Sequence, residues 1–582
     1  MYDIHSRRTS NMCRHIRLCH PERVPKPIRK CFTESETSQK VNSELSKMFA
    51  TSNASAAIVN NKHFKNAINI LNKSLPADEQ VKIKSDKYFR DRVPELSFSE
   101  KQKIKEELKN YVIHDNYFAI CVDESPIKGE RYYAVELYVF SQEGEFHNFV
   151  LDFGVVDGNQ DAQKVVEQIR RNLEFYAIPR IDFFIGDSAA YNSAAARILG
   201  VKWFKCIIHV LNLILCDAVK RIQTFKDLLK KLNKIREHFS RSLSDWKRLQ
   251  ILCRHKNSLK SYSRTRFSSA YCVLESFLLK YDGLRHFRYG DGKERQITDE
   301  EWAMMFKFCR MLKIFSEYST FFSTTSTITR DSLRFGLMTL REKVKEIREE
   351  LEHLDVGETI KLIWDNLNGS PVEPMNDDSL PEEQSDEIVD DDDFIFMAPS
   401  ESVGTAEFWD VLQESMERRL GEHIDDDINL IANYLSPVLR EAFMTEEEKE
   451  RCREWIMEHF EDFEREDNID LKSVLEKSIP FSRFNEEKIN DFLNRMEEDD
   501  EWDVYERIVS HLRGSEFWSE KFNQQQFPTL FRMWKYVSVS PVSSIGVERI
   551  FSRANNLIGK RNGNTSSQLF SASVFLISSE KK

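Results

Sequence analysis

The chain has 582 residues, of which 41% are apolar and 31% charged, a composition that predicts a soluble globular protein with several domains. No apolar run approaches the roughly 18–20 residues of a membrane-spanning helix, and the basic, polar N-terminus predicts no signal peptide. The 18 Gly and 15 Pro exclude a collagen-like chain. Ten scattered Cys exclude a disulfide scaffold and favour a reducing intracellular compartment.

The net charge of −12 comes from one segment, residues 371–402, which holds twelve Asp or Glu and no Lys or Arg. We expect this segment to be disordered, because it cannot bury enough apolar area to offset its ordering entropy. Without it the chain is charge-balanced overall. Residues 1–30 carry eight basic and two acidic residues. Such an arm is typical of nucleic-acid contact, and a merely solvated tail is the alternative.

The hydrophobic pattern changes its period along the chain. A helical N-terminal domain is predicted over 38–112. Within 113–238, strands are predicted at 117–123, 131–140, 145–156, 181–187 and 203–208, and helices at 161–176, 193–200 and 209–238. Three antiparallel strands followed by alternating helices and strands indicate a mixed α/β sheet with helices on its faces. Helical patterning then predicts a helical domain over 239–513 and a C-terminal helical segment over 514–582.

The predicted strand order makes two aspartates candidate metal ligands. Asp123 ends the first predicted core strand and Asp187 ends the fourth. If these strands are neighbours, the two carboxylates come within reach of one divalent ion, since Mg²⁺ and Mn²⁺ prefer carboxylate oxygens. The alternative is that both are turn formers or helix caps.

Several stretches resemble the hAT superfamily of DNA transposases (the hobo/Activator group). GDSAAYN (186–192) resembles the second-aspartate motif of that family, and KCIIHVLNLILCDAV (205–219) resembles its Cys-x-x-His block. The run SVSPVSSIGVERIFSRANNLIGKR (538–561) is the most specific match, and VNNKHFKNAINILN (59–72) resembles the helical entry domain.

The resemblance implies an RNase H-like mixed sheet with helices on both faces, interrupted by a large helical insertion domain. It implies a catalytic triad of Asp123, Asp187 and Glu548 that holds two Mg²⁺ or Mn²⁺ ions and cuts and joins DNA strands. It also implies DNA contacts from Arg266, Phe267 and Arg549, a homodimer or higher oligomer formed through the C-terminal segment, and a nuclear location.

Two blocks depart from the family pattern. The family has Thr-Arg-Trp where this chain has Thr265-Arg266-Phe267, and phenylalanine stacks on a base with less area and no N–H donor. The family follows its first aspartate with Trp, whereas VDESPIKGERYY contains none. Cys206 and His209 are two ligands, too few for a structural zinc site, so packing beneath the active site is the expected role.

Residues 7–22 resemble the last part of a BED-type zinc finger that ends in His15 and His20. Zinc is expected only if a Cys-x-x-Cys pair lies upstream, because a half finger cannot close a tetrahedral site.

Taken together, the sequence leaves three functions open. They are an active transposase, a catalytically silent DNA-binding and dimerising regulatory protein derived from one, and a helical scaffold whose acidic segment recruits basic partners.

Overall fold

The computed structural model describes residues 35–52, 54–76, 79–114, 116–158, 160–261, 268–289, 296–323, 329–369, 404–437, 439–440, 443–464, 517–519, 521–559 and 566–579. His15, His20, Arg266, Phe267 and the acidic segment 371–402 lie outside these residues. The chain divides into two compact units, residues 1–96 and 97–582. No helix among the described residues is long and apolar enough to cross a membrane.

The first unit is helical, as its periodicity predicts. It contains α1 (Glu36–Thr51), a 3₁₀ turn (Ala56–Asn60), α2 (Lys62–Asn72) and the start of α3 (Asp86–Ile113). Ser35 caps α1 and Asn61 caps α2 by accepting hydrogen bonds from backbone N–H groups of the first turn. A small core of Phe49, Val59 and Phe89 holds the unit together.

The second unit is built on one five-stranded sheet. Its strands are β1 (Phe118–Ile127), β2 (Glu130–Phe140), β3 (Phe146–Val155), β4 (Phe183–Gly186) and β5 (Lys202–Lys205), in the spatial order β3-β2-β1-β4-β5. β1 pairs antiparallel with β2, and β2 with β3, whereas β4 runs parallel to both β1 and β5. The predicted mixed sheet is confirmed. The first and fourth strands are neighbours, an arrangement that the predicted strand order allows and that a shared carboxylate site requires.

The first strand is longer than the sequence predicted. β1 continues four residues past Asp123, because residues Asp123 to Ile127 stay paired with β2 as far as Glu130. Lys128 and Gly129 close this hairpin with positive φ angles of 47° and 82°, the backbone of a two-residue type I′ turn. Asp123 is therefore inside β1, near the point where pairing with β4 ends, and not at the end of the strand.

Helices cover both faces of the sheet. On one face, Phe570 packs edge-on against Tyr132, and Phe551 lies against Phe153. Phe570 belongs to α20 (Ser567–Ser579) and Phe551 to α19 (Ile545–Gly559). The side chain of Tyr133 points to the opposite face, towards Arg171 of α4 (Ala162–Tyr176). The short helix α5 (Ala190–Leu199) connects β4 to β5.

The rest of the described chain is helical. Buried side chains between residues 207 and 424 form a second core, whereas those between 428 and 463 and between 517 and 537 pack in the core of the sheet. The helices of this part of the chain are α6 (Ile207–Arg221), α7 (Gln223–Arg241), α8 (Leu243–Leu252), α9 (Ser268–Leu278), α10 (Tyr281–His286), α11 (Asp299–Phe322), α12 (Leu333–Glu352), α13 (Val356–Gly369), α14 (Gly404–Ile424), α15 (Asp427–Tyr434) and α16 (Glu446–Phe463), followed by α17 (Lys521–Gln526) and α18 (Pro528–Ser538).

The single long helix predicted over 209–238 is wrong. The structure breaks it into α6 and α7 at Ile222, which has extended backbone angles and is buried. No Gly or Pro marks this position, so tertiary packing of the isoleucine side chain decides the break.

Candidate active site

Asp123 and Asp187 lie side by side because of the β1–β4 register. Cys121 is opposite Ile185 in the parallel ladder, so two further residues along each strand bring Asp123 level with Asp187. Adjacent strands are about 4.8 Å apart. Two carboxyl groups that are 64 positions apart in the chain therefore share one edge of the sheet.

Asp187 is held in place by the turn that follows β4. Its Oδ1 accepts hydrogen bonds from the backbone N–H of Ala189 (3.0 Å) and from Nδ2 of Asn192 (2.7 Å). Asn192 is buried, and it lies so close to Gly186 that a Cβ on this glycine would be 2.7 Å from Nδ2. Both hydrogen bonds use the same carboxylate oxygen, which leaves Oδ2 to bind another group.

The electrostatics of Asp123 show that the site concentrates negative charge. Burial is the main cause that raises the pKa of Asp123 to about 8, and the charge of Asp187 is the second. A hydrogen bond from the backbone N–H of Glu124 (2.8 Å) opposes the shift, and Glu548 adds to it. Without a cation, Asp123 therefore keeps its proton at neutral pH.

Glu548 reaches the site from the far end of the chain. It lies in the first turn of α19, where a carboxylate interacts favourably with the helix dipole, and α19 packs on β1 and β2. Its charge raises the pKa of both Asp123 and the Cys206 thiol. The three carboxylates named from the sequence are thus electrostatic neighbours.

The segment before α19 fixes where Glu548 enters. The backbone N–H of Ile207 donates to the carbonyl of Val542 (3.0 Å), and that of Ser544 to Sγ of Cys206 (3.3 Å). Cys206 itself donates its backbone N–H to Gly186, next to Asp187 (2.8 Å). Cys206 thereby links the second aspartate to the helix of the glutamate, which agrees with the packing role expected of it.

His209 also lies near the site. Burial lowers the pKa of His209, and the charge of Asp187 acts in the opposite direction. A neutral imidazole at neutral pH agrees with packing beneath the carboxylates.

The residues fit a hard divalent cation in chemistry but not yet in spacing. The charges of Asp187 and Glu548 raise the pKa of Asp123, and clustered carboxylates of this kind are the oxygen ligands that Mg²⁺ and Mn²⁺ prefer. Within the described part of the chain, however, no three Asp, Glu, His or Cys side chains stand close enough together to hold a metal ion. A shared ion would thus need the carboxylates to come closer together than they lie in this structure.

One carboxylate at this edge was not singled out by the sequence reasoning as a site residue. Oε1 of Glu124 pairs with Arg131 (3.0 Å), while its Oε2 is buried and accepts no hydrogen bond from any described residue. Burial raises the pKa of Glu124, and the charge of Arg131 opposes this. Adjacency to Asp123 in a strand is the only sequence signal for Glu124.

Tyr191 borders the same group of carboxylates. Burial raises the pKa of its phenol, and the charges of Asp187, Glu124 and Asp123 raise it further.

Arg549, predicted to contact DNA, is exposed on α19 and donates from Nη2 to the carbonyl of Ser323 (2.9 Å). This bond ties α19 to the residue that follows α11.

Comparison with protein-family models finds no match, and no curated protein sequence matches the chain. The carboxylates and the sheet that carries them are therefore the main evidence for what the protein does.

Proposed function

We propose that the protein is a hAT-like transposase or transposase-derived DNA-binding protein, whose active form cuts and joins DNA by metal-dependent phosphodiester chemistry. The observation that carries this proposal is the parallel β1–β4 register, which brings Asp123 alongside Asp187 at one edge of the sheet. Glu548 supports it, because its charge acts on Asp123 although 361 positions separate it from Asp187 in the chain.

An RNase H-like fold is part of the proposal. Its support is the strand order β3-β2-β1-β4-β5, with three antiparallel strands followed by two parallel ones, and helices on both faces. The helices from α8 to α16 would then belong to the insertion over 239–513 that separates the third carboxylate from the first two.

Each carboxylate has a distinct task in this proposal. Asp187, oriented by Asn192 and the backbone of Ala189, would offer its Oδ2 to Mg²⁺ or Mn²⁺. Asp123 would release its proton to bind the same cation, and Glu548 would complete the ligand set from α19. A bound divalent ion lowers the pKa of a water ligand and stabilises charge on phosphate oxygens.

A catalytically silent DNA-binding derivative is the second candidate. The observation that favours it is the spacing of the carboxylates, since no three metal-binding side chains among the described residues are grouped closely enough for an ion. In this case the fold would persist as a scaffold for DNA binding and dimerisation.

DNA as partner, a homodimer formed through residues 514–582 and a nuclear location belong to both candidates. Apolar side chains of the C-terminal helices, such as Phe531, Val547 and Phe551, pack in the same core as the sheet. These helices therefore serve the fold of the chain itself, whatever else they bind.

The experiment is a cleavage assay with the purified full chain, Mg²⁺ or Mn²⁺, and the DNA that flanks its own gene. The test variant is Asp187→Asn, which keeps the shape and removes one ligand charge. Its matched control is Asp365→Asn, the same change at an exposed position on α13.

Cleavage by the wild type and the control, lost in Asp187→Asn, is the expected result for an active enzyme. DNA binding without cleavage in all three proteins would favour the silent derivative. Cleavage that survives in Asp187→Asn would overturn the assigned site.

A further inference from the structure

The charge of the chain reverses between residues 220 and 260. This stretch holds thirteen Lys or Arg and three Asp or Glu, a net charge of +10, in a protein whose net charge is −12. It covers the end of α6, all of α7 and α8, and the residues that follow α8.

The cations of α7 form a stripe on its solvent side. Lys226, Lys230 and Lys234 repeat every four residues, and Arg241 continues the same face two turns later. The opposite face is buried in the helical core by Phe225, Leu228, Leu229, Leu232, Ile235 and Phe239. From Lys226 to Arg241 the stripe extends for about 22 Å along the helix.

The basic surface continues beyond α7. α8 packs against α7 and exposes Lys247 and Arg248, and Arg254 and Lys256 are exposed after α8. We call the cations Lys226, Lys230, Lys234, Arg241, Lys247, Arg248, Arg254 and Lys256 the α7–α8 basic surface.

Neighbouring acids neutralise only part of this surface. Asp227 is 3.9 Å from Lys230, Glu237 is 3.7 Å from Arg241, and Asp245 contacts Arg248 at 3.1 Å. Asp245 also pairs with His238 (3.0 Å). Within the described part of the chain, Lys226, Lys234 and Lys247 pair with no acidic residue. The surface therefore keeps a strong positive potential.

We propose that the α7–α8 basic surface binds the phosphate backbone of double-stranded DNA outside the carboxylate site. The proposal rests on the proposed function only in taking DNA as the partner. A straight row of cations about 22 Å long matches a rod that carries one negative charge per roughly 1.7 Å of its axis.

An anionic membrane is the other polyanion that such a surface could meet, and the structure disfavours it. A helix that lies in a membrane interface needs an unburied apolar face, but the apolar face of α7 is buried in the core. Among the large apolar side chains of α8, Leu243, Ile251 and Leu252 are the exposed ones, and they are too few for stable insertion.

The test variant combines Lys226→Gln, Lys234→Gln and Lys247→Gln, since these lysines have no acidic partner and glutamine is an equally good helix former. The matched control combines Lys343→Gln, Lys345→Gln and Lys361→Gln, three exposed lysines on α12 and α13. Circular dichroism melts establish that both full-length variants are folded.

Fluorescence anisotropy measures the affinity for a duplex of about 30 base pairs in EDTA, at several salt concentrations between about 50 and 200 mM. We expect the test variant to bind roughly 10- to 100-fold more weakly at low salt, and its log–log salt slope to fall by about 2–3, since each phosphate contact contributes about 0.9. The control should bind as the wild type does.

Equal affinity and slope in the test variant and the wild type would overturn the proposal. Binding of the wild type to phosphatidylserine vesicles but not to duplex, lost in the test variant, would also overturn it in favour of a membrane. EDTA removes divalent cations, so this binding assay does not depend on a metal at the carboxylates. A wild type that binds duplex through these lysines, but cleaves no DNA in the assay with Mg²⁺ or Mn²⁺, would overturn the proposed chemistry and support this surface.

Discussion

Oε2 of Glu136 lies so close to Gly546 that a Cβ on this glycine would be 1.9 Å from it. Glu136 is a charged residue in the middle of β2 and is buried, with 2% of its surface exposed. It accepts hydrogen bonds from Tyr138 and from Asn148 (2.5 Å). Gly546 is in the first turn of α19, two residues before Glu548. The close contact thus sets how near the helix of the third carboxylate can approach the sheet.

Gly546→Ala should therefore destabilise the chain. The added methyl group meets Oε2 of Glu136 and the Tyr138 hydroxyl, which lies 2.5 Å from the Cβ position, and overpacking of this kind costs about 1–3 kcal/mol. The measurement is the free energy of unfolding in urea.

Gly421→Ala is the matched control for this prediction. Gly421 lies within α14, and its added Cβ would be 3.8 Å from Oδ2 of Asp425, an ordinary contact distance. Replacing this helical glycine by alanine should therefore stabilise the chain by up to about 1 kcal/mol. Equal stability of Gly546→Ala and the wild type would show that α19 can move away from the sheet freely.

Arg330 makes a second long-range connection, between the helical region and the segment before α19. It is 1% exposed and donates to Asn429 Oδ1 (2.8 Å), Ser540 Oγ (3.0 Å) and the Pro541 carbonyl (3.1 Å). Its guanidinium carbon lies 3.5 Å from the centre of the Phe204 ring in β5. Burial lowers its pKa to about 9, so the group is charged at neutral pH.

We expect Arg330→Ala to lower the free energy of unfolding by at least roughly 3 kcal/mol, because three bonds from a charged donor are lost and buried acceptors remain unpaired. The control is Arg341→Ala, an exposed arginine on α12, which should change stability by less than about 0.5 kcal/mol. A similarly small effect at Arg330 would mean that water replaces its contacts.

The sequence predicts the sheet better than it predicts the connections to it. The strands are found because apolar runs and β-formers mark each of them, whereas their order in the chain allows the pairing of β1 with β4 without requiring it. Residue patterns alone do not identify Glu548, Arg330 or Glu136, since their partners lie far away in the chain. Glu136 belongs to an alternating pattern that resembles a half-exposed strand, yet helices bury both faces of β2. The break at Ile222 has the same origin in tertiary packing.

The raised pKa of Asp123 predicts a pH dependence of stability in the metal-free protein. Its carboxyl has an ordinary pKa of 3.8 and a pKa of about 8 in the folded chain. Between these values the folded chain holds a proton that the unfolded chain has released. The contribution of Asp123 to stability is therefore complete below about pH 4 and is lost as the pH rises to 8.

Within this window the loss is at most about 1.4 kcal/mol per pH unit. Urea unfolding in EDTA at pH 5, 6.5 and 8 should show the decline, and Asp123→Asn should make the profile flatter, since asparagine does not titrate. A wild-type profile parallel to that of Asp123→Asn would contradict the raised pKa of Asp123, of which burial is the main cause and the charge of Asp187 the second.

Removing the chain after Glu516 should prevent folding of the second unit. The described residues beyond this point supply Phe527, Trp534 and Val537, which pack with the sheet, and Phe551 and Phe570, which cover Phe153. Without them a large apolar face of the sheet meets water, and such faces drive association. We expect aggregated or insoluble protein, measured by the fraction that sediments and by size-exclusion chromatography.

Removal of the last three residues, 580–582, is the control and should leave the protein unchanged, since all of α20 (Ser567–Ser579) is retained. A folded monomer truncated after Glu516 would show that the sheet is stable without α19. Glu548 would then have no structural reason to share a site with Asp123 and Asp187. The truncation therefore tests the fold and the three-carboxylate assignment together, whereas Asp187→Asn tests the chemistry alone.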